Sequence, residues 1–162
     1  MDLLSLEPLV LRLADALRQR GWRMASAESC TGGLIAAACT TVAGSSDWFE
    51  RGFVTYSNEA KAGMLGVPPA LIAAHGAVSE PVALAMARGA LAHAPVQLAV
   101  AVTGIAGPGG AVAGKPVGTV WLAWGSASAL LTARLQIPGD RDAERSASVP
   151  AALQRLLQAV SA

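Results

Sequence analysis

The sequence predicts an α/β fold, a three-layer α/β/α sandwich around a mixed, mostly parallel five-stranded sheet. Three observations carry that expectation. Segments with helical spacing alternate with short apolar runs along the 162 residues, the order that builds strands joined by crossover helices. Residues 97–103 form a continuous apolar run, as expected of a strand buried on both faces. Residues 117–124 and 129–137 read as two strands joined at Gly125-Ser126, a hairpin that gives the sheet one antiparallel member.

From the start of the chain, Leu6, Leu9, Val10, Leu13 and Leu17 mark one face of a helix that ends at Gly21. Arg12, Asp15, Arg18 and Gln19 mark its polar side. A short strand over 22–27 runs into Glu28-Ser29-Cys30-Thr31-Gly32-Gly33, and an Ala- and Leu-rich helix over 34–41 follows. After a loop at 44–46, residues 49–56 read as a second strand interrupted by Gly52. Ser57 and Asn58 offer caps for a short helix over 59–65, and Pro68-Pro69 opens another helical turn that stops at Gly76. Ser79-Glu80-Pro81 combines a cap, a first-turn acid and an early proline, the start of a helix to about His93. Residues 104–110 read as loop, and a terminal helix begins at Asp140, with Pro150 expected to kink or split it.

Composition narrows the function classes. Hydrophobic residues make up 53% and charged residues 14%, which argues against a disordered chain, and the length fits one domain over residues 1–162. A chain of this size buries roughly 70% of its unfolded surface, enough for a core without staples. Net charge is +1 with no Lys/Arg run beyond two, so no nucleic-acid surface is expected. The two cysteines, Cys30 and Cys39, have neither metal-site nor disulfide-framework spacing, and free thiols fit a cytoplasmic location. Charges interrupt the apolar N-terminus, so neither a signal peptide nor a membrane partner is expected. No Cys/His/Asp cluster points to a metal, and no cofactor is implied. The apolar, Ala-rich helices suggest a homo-oligomer.

Three loops leave carboxyl ends of strands, where open α/β sheets bind ligands. In the first, Ser29 stands where strand turns to helix, facing free helix N–H groups. Glu28, Cys30, Thr31, Gly32 and Gly33 surround it, the glycines allowing close backbone approach. A serine there is also read as a helix cap, and Cys30 is either a rival nucleophile or a small buried hydrophobe. In the second, Lys61 lies one turn beyond Ser57 with Tyr56 and Asn58 nearby. A lysine serves as general base when desolvation lowers its pKa, and Tyr56 would relay the proton or hold the lysine. Alone, Lys61 reads more readily as a solvated surface lysine. The third, Thr103-Gly104-Ile105-Ala106-Gly107-Pro108-Gly109-Gly110, suits a backbone cradle for phosphate or ribose, or is plain surface loop. It has neither Walker nor dinucleotide-fingerprint spacing. Lys115 and Arg141 are candidate phosphate partners, Arg141 equally a rim salt bridge. His75 and His93 fall near helix ends, which makes a Ser-His-Asp triad a poor fit.

Taken in order, Ala-Glu-Ser-Cys-Thr-Gly-Gly at 27–33, Tyr-Ser-Asn-Glu-Ala-Lys at 56–61, Gly-Ala-Val-Ser at 76–79, Thr-Gly-Ile-Ala-Gly-Pro-Gly-Gly at 103–110, Lys-Pro-Val-Gly-Thr-Val at 115–120 and Gly-Asp-Arg at 139–141 closely resemble the CinA C-terminal domain family, the nicotinamide-nucleotide amidohydrolases. The resemblance covers nearly the whole chain; residues 43–52 and 125–138 contribute little to it. It implies a three-layer α/β/α fold and metal-free hydrolysis of nicotinamide mononucleotide to nicotinate mononucleotide and ammonia, a step of pyridine nucleotide salvage. It also implies a serine nucleophile with a lysine partner, matching Ser29 and Lys61, with Tyr56 in the same motif. The expected substrate contacts are Glu28, Cys30, Thr31, Gly32, Gly33, Asn58, Thr103, Gly104, Gly107 and Arg141. Backbone N–H groups near 30–33 would hold the oxyanion. Many relatives carry an additional N-terminal domain absent from this sequence, and nothing specific to it is expected here. The competing reading is a non-catalytic nucleotide-sensing or protein-interaction module, which would not need the Ser29–Lys61 pair.

Overall fold

In the computed structural model, which describes residues 1–162, a 3-10 turn at Leu3–Leu6 leads into helix α1 (Glu7–Arg20). Strand β1 (Met24–Glu28) and helix α2 (Leu34–Cys39) follow, then strand β2 (Phe49–Val54). Three helices come next: α3 (Asn58–Leu65), α4 (Pro69–His75) and α5 (Glu80–His93). Strands β3 (Leu98–Gly104), β4 (Thr119–Ser126) and β5 (Ala129–Gln136) precede the long helix α6 (Arg141–Ser161). The expected elements are all present, with ends moved by at most two residues.

The sheet order is β2-β1-β3-β4-β5. Strands β2, β1 and β3 run parallel, and β4 runs antiparallel to both β3 and β5. Four strands therefore share one direction, and β4 is the single antiparallel member. The carboxyl ends of β1, β2 and β3 consequently lie along one edge of the sheet.

Each face of the sheet has its own core, and β3 shows how. Leu98, Val100 and Val102 pack with the buried faces of α1, α2 and α6. The alternate residues Ala99 and Ala101 pack with α5 and residues of α3 and α4. Side chains alternate across a strand, so an unbroken apolar run supplies both layers, and the small residues fall under α5. Close approach continues between helices. A Cβ on Gly89 of α5 would lie 2.1 Å from the Leu65 carbonyl oxygen of α3. Gly89→Ala is therefore expected to force the helices apart and cost about 1–3 kcal/mol, the range for overpacking. A lowered midpoint in chemical denaturation, with an unchanged slope, is the expected readout.

Three local expectations need correction. Helix α6 runs through Pro150 without being split. Val149, Ala152, Leu153, Leu156 and Val160 are buried along it, and that burial outweighs the one backbone bond the proline removes. Gly125 and Ser126 belong to β4, so the hairpin turns at residues 127–128 instead. Ser79 occupies the cap position of α5, but its hydroxyl donates to the Gly76 carbonyl at 2.8 Å and caps nothing. No helix is long and apolar enough to cross a membrane.

Candidate active site

The parallel strands deliver three loops to one place. Residues 29–33 leave β1, residues 55–57 leave β2, and residues 105–110 leave β3. The N-terminus of α6 closes the fourth side. Together they enclose a cavity of about 280 Å³ lined by Ser29, Cys30, Tyr56, Asn58, Lys61, Ala77, Val78, Thr103, Gly104, Gly107 and Arg141, among others. A larger hollow of about 600 Å³ lies between α3, α4 and α5, and neither Ser29 nor Lys61 lines it.

The β1–α2 turn is set by Glu28. Its side chain is fully buried and points back under the helix. It accepts from the backbone N–H groups of Gly33 (3.2 Å), Ile35 (2.9 Å) and Ala36 (3.0 Å) and from the hydroxyls of Thr31 (2.7 Å) and Ser26 (3.2 Å). An anion at a helix N-terminus satisfies free donors and the helix dipole together. Glu28 thus takes the helix donors that the sequence reading set opposite the Ser29 hydroxyl. Glu28, Thr31, Gly32 and Gly33 do not line the cavity. Glu28→Ala would leave these buried donors without an acceptor. A loss of about 3–5 kcal/mol of stability is expected, visible as a fall in Tm, since breaking a buried charged network costs that much.

Ser29 is 7% exposed and its amide donates to the Val102 carbonyl at 2.9 Å, so the nucleophile turn is tied to β3. Its Oγ lies 3.0 Å from Lys61 Nζ. Lys61 is 1% exposed, and its nitrogen also meets the carbonyl oxygens of Thr55 (3.1 Å) and Tyr56 (3.2 Å). No carboxylate pairs with it; the ion pairs of the structure are Arg18–Asp47 and Arg51–Glu50. Burial therefore pulls the Lys61 pKa below its ordinary 10.5. A neutral amine has two N–H donors and one lone pair. The two carbonyls can only accept, so in the neutral form they would take both hydrogens and leave the lone pair for the Ser29 hydroxyl hydrogen, whereas the ammonium donates to Ser29 Oγ as well.

Tyr56 holds the lysine through its main-chain carbonyl. Its hydroxyl accepts from the Arg141 guanidinium at 2.9 Å and makes no hydrogen bond to Ser29 or Lys61. Arg141 also donates to the Gly107 carbonyl at 2.8 Å, strapping α6 to the glycine loop. Its charge has no carboxylate partner within ion-pair distance. Thr103 donates to the Ala77 carbonyl at 2.9 Å. Lys115 donates to the His75 carbonyl and does not line the cavity.

Cys30 is 5% exposed and its thiol donates to Glu144 Oε1 at 3.0 Å. Burial, and then the Glu144 carboxyl beside it, push the Cys30 pKa well above that of a free thiol, so the thiolate required for attack is disfavoured. Within the turn, the Gly32 amide donates to Ser29 and the Gly33 amide to Glu28. Those of Cys30 and Thr31 have no protein acceptor, as do those of Ala106 and Gly107 in the glycine loop. Glu144 is the buried neighbour that sequence reasoning missed: in the sequence it is one acid of a helix's first turn, with nothing to mark it as inward-facing.

The match to known proteins covers the whole arrangement. The model of the CinA C-terminal domain matches residues 6–160. A Pseudomonas putida protein named nicotinamide-nucleotide amidohydrolase PncC is 54% identical over 150 residues, 93% of this chain and 94% of that one. An Escherichia coli K12 protein of the same name is 54% identical over 148 residues, 91% and 90% of the two chains. The crystal structure of the competence/damage inducible protein CihA from Agrobacterium tumefaciens superposes with a TM-score of 0.93 at 45% identity, over 97% of this chain and 96% of that one.

Proposed function

The chain belongs to the CinA C-terminal domain family, and from that premise we propose that it hydrolyses the carboxamide of nicotinamide mononucleotide, giving nicotinate mononucleotide and ammonia. The observation that carries the proposal is the 3.0 Å contact between Ser29 Oγ and the buried, carboxylate-free Lys61 Nζ. Amide hydrolysis needs an activated hydroxyl and a base whose pKa sits near the working pH. A lysine in a site that only bound a nucleotide would need neither burial nor this partner.

The steps follow from the geometry. Neutral Lys61 takes the Ser29 proton as Oγ attacks the carboxamide carbon. The oxyanion receives the Cys30 amide, a donor worth roughly 3–4 kcal/mol when well placed. The Lys61 ammonium returns its proton to the leaving nitrogen, the C–N bond breaks and ammonia departs. Lys61 then takes a proton from the water that adds to the Ser29 ester, and it returns that proton to Ser29 Oγ as the Oγ–acyl bond breaks, releasing the carboxylic product, which ionises. Tyr56 positions the lysine, and Cys30 supplies an amide rather than a nucleophile.

The remote part of the substrate is assigned to the other walls. Arg141, uncompensated and at the mouth, suits the 5′-phosphate, and free amides of the glycine loop suit phosphate or ribose oxygens. Asn58, Thr103, Gly104 and Gly107 complete the contacts. Binding energy from these groups orients the amide over Ser29. The chain acts as a single domain, and the reaction would place it in pyridine nucleotide salvage. The test is product analysis after incubation with nicotinamide mononucleotide and a metal chelator. Equimolar ammonia and nicotinate mononucleotide are expected; a folded protein that binds the nucleotide and releases neither would refute the proposal.

A further inference from the structure

Cys30 is held from two sides by consecutive residues of α6. Its thiol donates to Glu144 Oε1 at 3.0 Å, and its carbonyl accepts from Arg145 Nε at 3.2 Å. The first turn of α6 thereby grips both the side chain and the main chain of the residue that follows the nucleophile. Room for the grip exists because β3 ends in a glycine. A Cβ on Gly104 would lie 2.6 Å from Glu144 Oε1 and 3.0 Å from Cys30 Sγ. Three separate elements therefore meet on one thiol–carboxyl contact, beside an amide with no protein acceptor.

Glu144 itself is 1% exposed, and its second oxygen, Oε2, is buried without a hydrogen-bond partner. A buried carboxyl whose side-chain donors are the Cys30 thiol and, at 3.5 Å, the Ser148 hydroxyl, with no cation within ion-pair distance, is costly, so a purely structural role would be better served by an apolar side chain. We propose that Glu144 is a positioning residue for the reaction at Ser29: by receiving the Cys30 thiol hydrogen, while Arg145 holds the Cys30 carbonyl, it fixes the Cys30 peptide so that its free amide meets the oxyanion. Burial favours the neutral carboxyl at Glu144, and a neutral acceptor is all this role requires. The inference rests on the amide-hydrolysis reading for what the amide receives, and on geometry alone for the lock.

The test has two readouts. In steady-state deamidation of nicotinamide mononucleotide, Glu144→Ala is expected to lower kcat by about 10- to 100-fold with KM changed by less than about 2-fold, because a donor is misplaced rather than a binding group removed. Glu144→Gln keeps an oxygen acceptor and is expected to recover most of that loss. Cys30→Ala should show a similar fall, and the double variant should be no worse than either single one, since both remove the same contact. In hydrogen exchange by mass spectrometry, residues 30–33 should exchange faster in Glu144→Ala and at the wild-type rate in Glu144→Gln. Should Glu144→Ala not fold, Glu144→Gln and Cys30→Ala carry the same comparison. A Gln variant as poor as Ala, a loss confined to KM, or effects that multiply in the double variant would overturn the proposal. So would unchanged exchange at 30–33. Wild-type protein that released no ammonia would instead overturn the amide-hydrolysis reading, and exchange would still decide the lock.

Discussion

Ser29→Ala is expected to lower kcat for nicotinamide mononucleotide by at least about 1,000-fold while leaving nucleotide binding near the wild-type level. The expected loss is large because the substitution removes the covalent route altogether, and single knock-outs in nucleophile–base units cost about as much as removing the whole unit. Binding should survive because Arg141 and the glycine loop are untouched. The fold should survive as well: Ser29 holds β3 through its amide, and the Lys61 nitrogen retains the Thr55 and Tyr56 carbonyls. Steady-state ammonia release and calorimetric binding of the nucleotide, run on one preparation, separate the two effects. Retained turnover would remove Ser29 from the chemistry; lost binding would place it in recognition instead.

Lys61→Met should reduce kcat by about 100- to 10,000-fold, the span of general acid–base catalysis, and should reshape the pH profile. In the wild type, burial lowers the lysine pKa, and the reaction needs the neutral amine. The rate of kcat/KM is therefore expected to rise with pH through the lowered Lys61 pKa and then level off, below the ordinary 10.5. The Met variant should lack that rising limb. Stability follows the same linkage. Between the lowered folded pKa and 10.5 the unfolded chain binds the extra proton, so unfolding free energy increases with pH across that window. Lys61→Met removes that contribution. A rising limb that persists in the Met variant would assign the base to another group.

How far these residues were legible depended on the distance between cause and consequence along the chain. The sheet was readable because one unbroken apolar run, 98–103, has to face two layers at once, and because glycine and proline mark most element ends. The serine and lysine were readable as motif residues, but their pairing joins positions 32 residues apart and depends on β1 and β2 lying side by side. Glu28 misled for a physical reason. A carboxylate after a strand and before a helix can face a ligand or cap the helix beneath it, and only the backbone path decides. Tyr56 shows the same limit: its carbonyl serves the lysine and its hydroxyl serves Arg141, a division that residue type does not encode. Glu144 was silent, since its partner lies 114 residues away. Pro150 does not split helix α6, whose buried face contributes more than one proline removes.

The central claim is that Ser29, and not the adjacent thiol, carries the acyl group. The direct measurement is acid quenching of the wild-type enzyme during turnover of nicotinamide mononucleotide, followed by peptide mass spectrometry. The expected result is a nicotinate-mononucleotide ester on the Ser29 hydroxyl, absent from Ser29→Ala. An adduct on the Cys30 thiol, or turnover at the wild-type rate by Ser29→Ala, would contradict it.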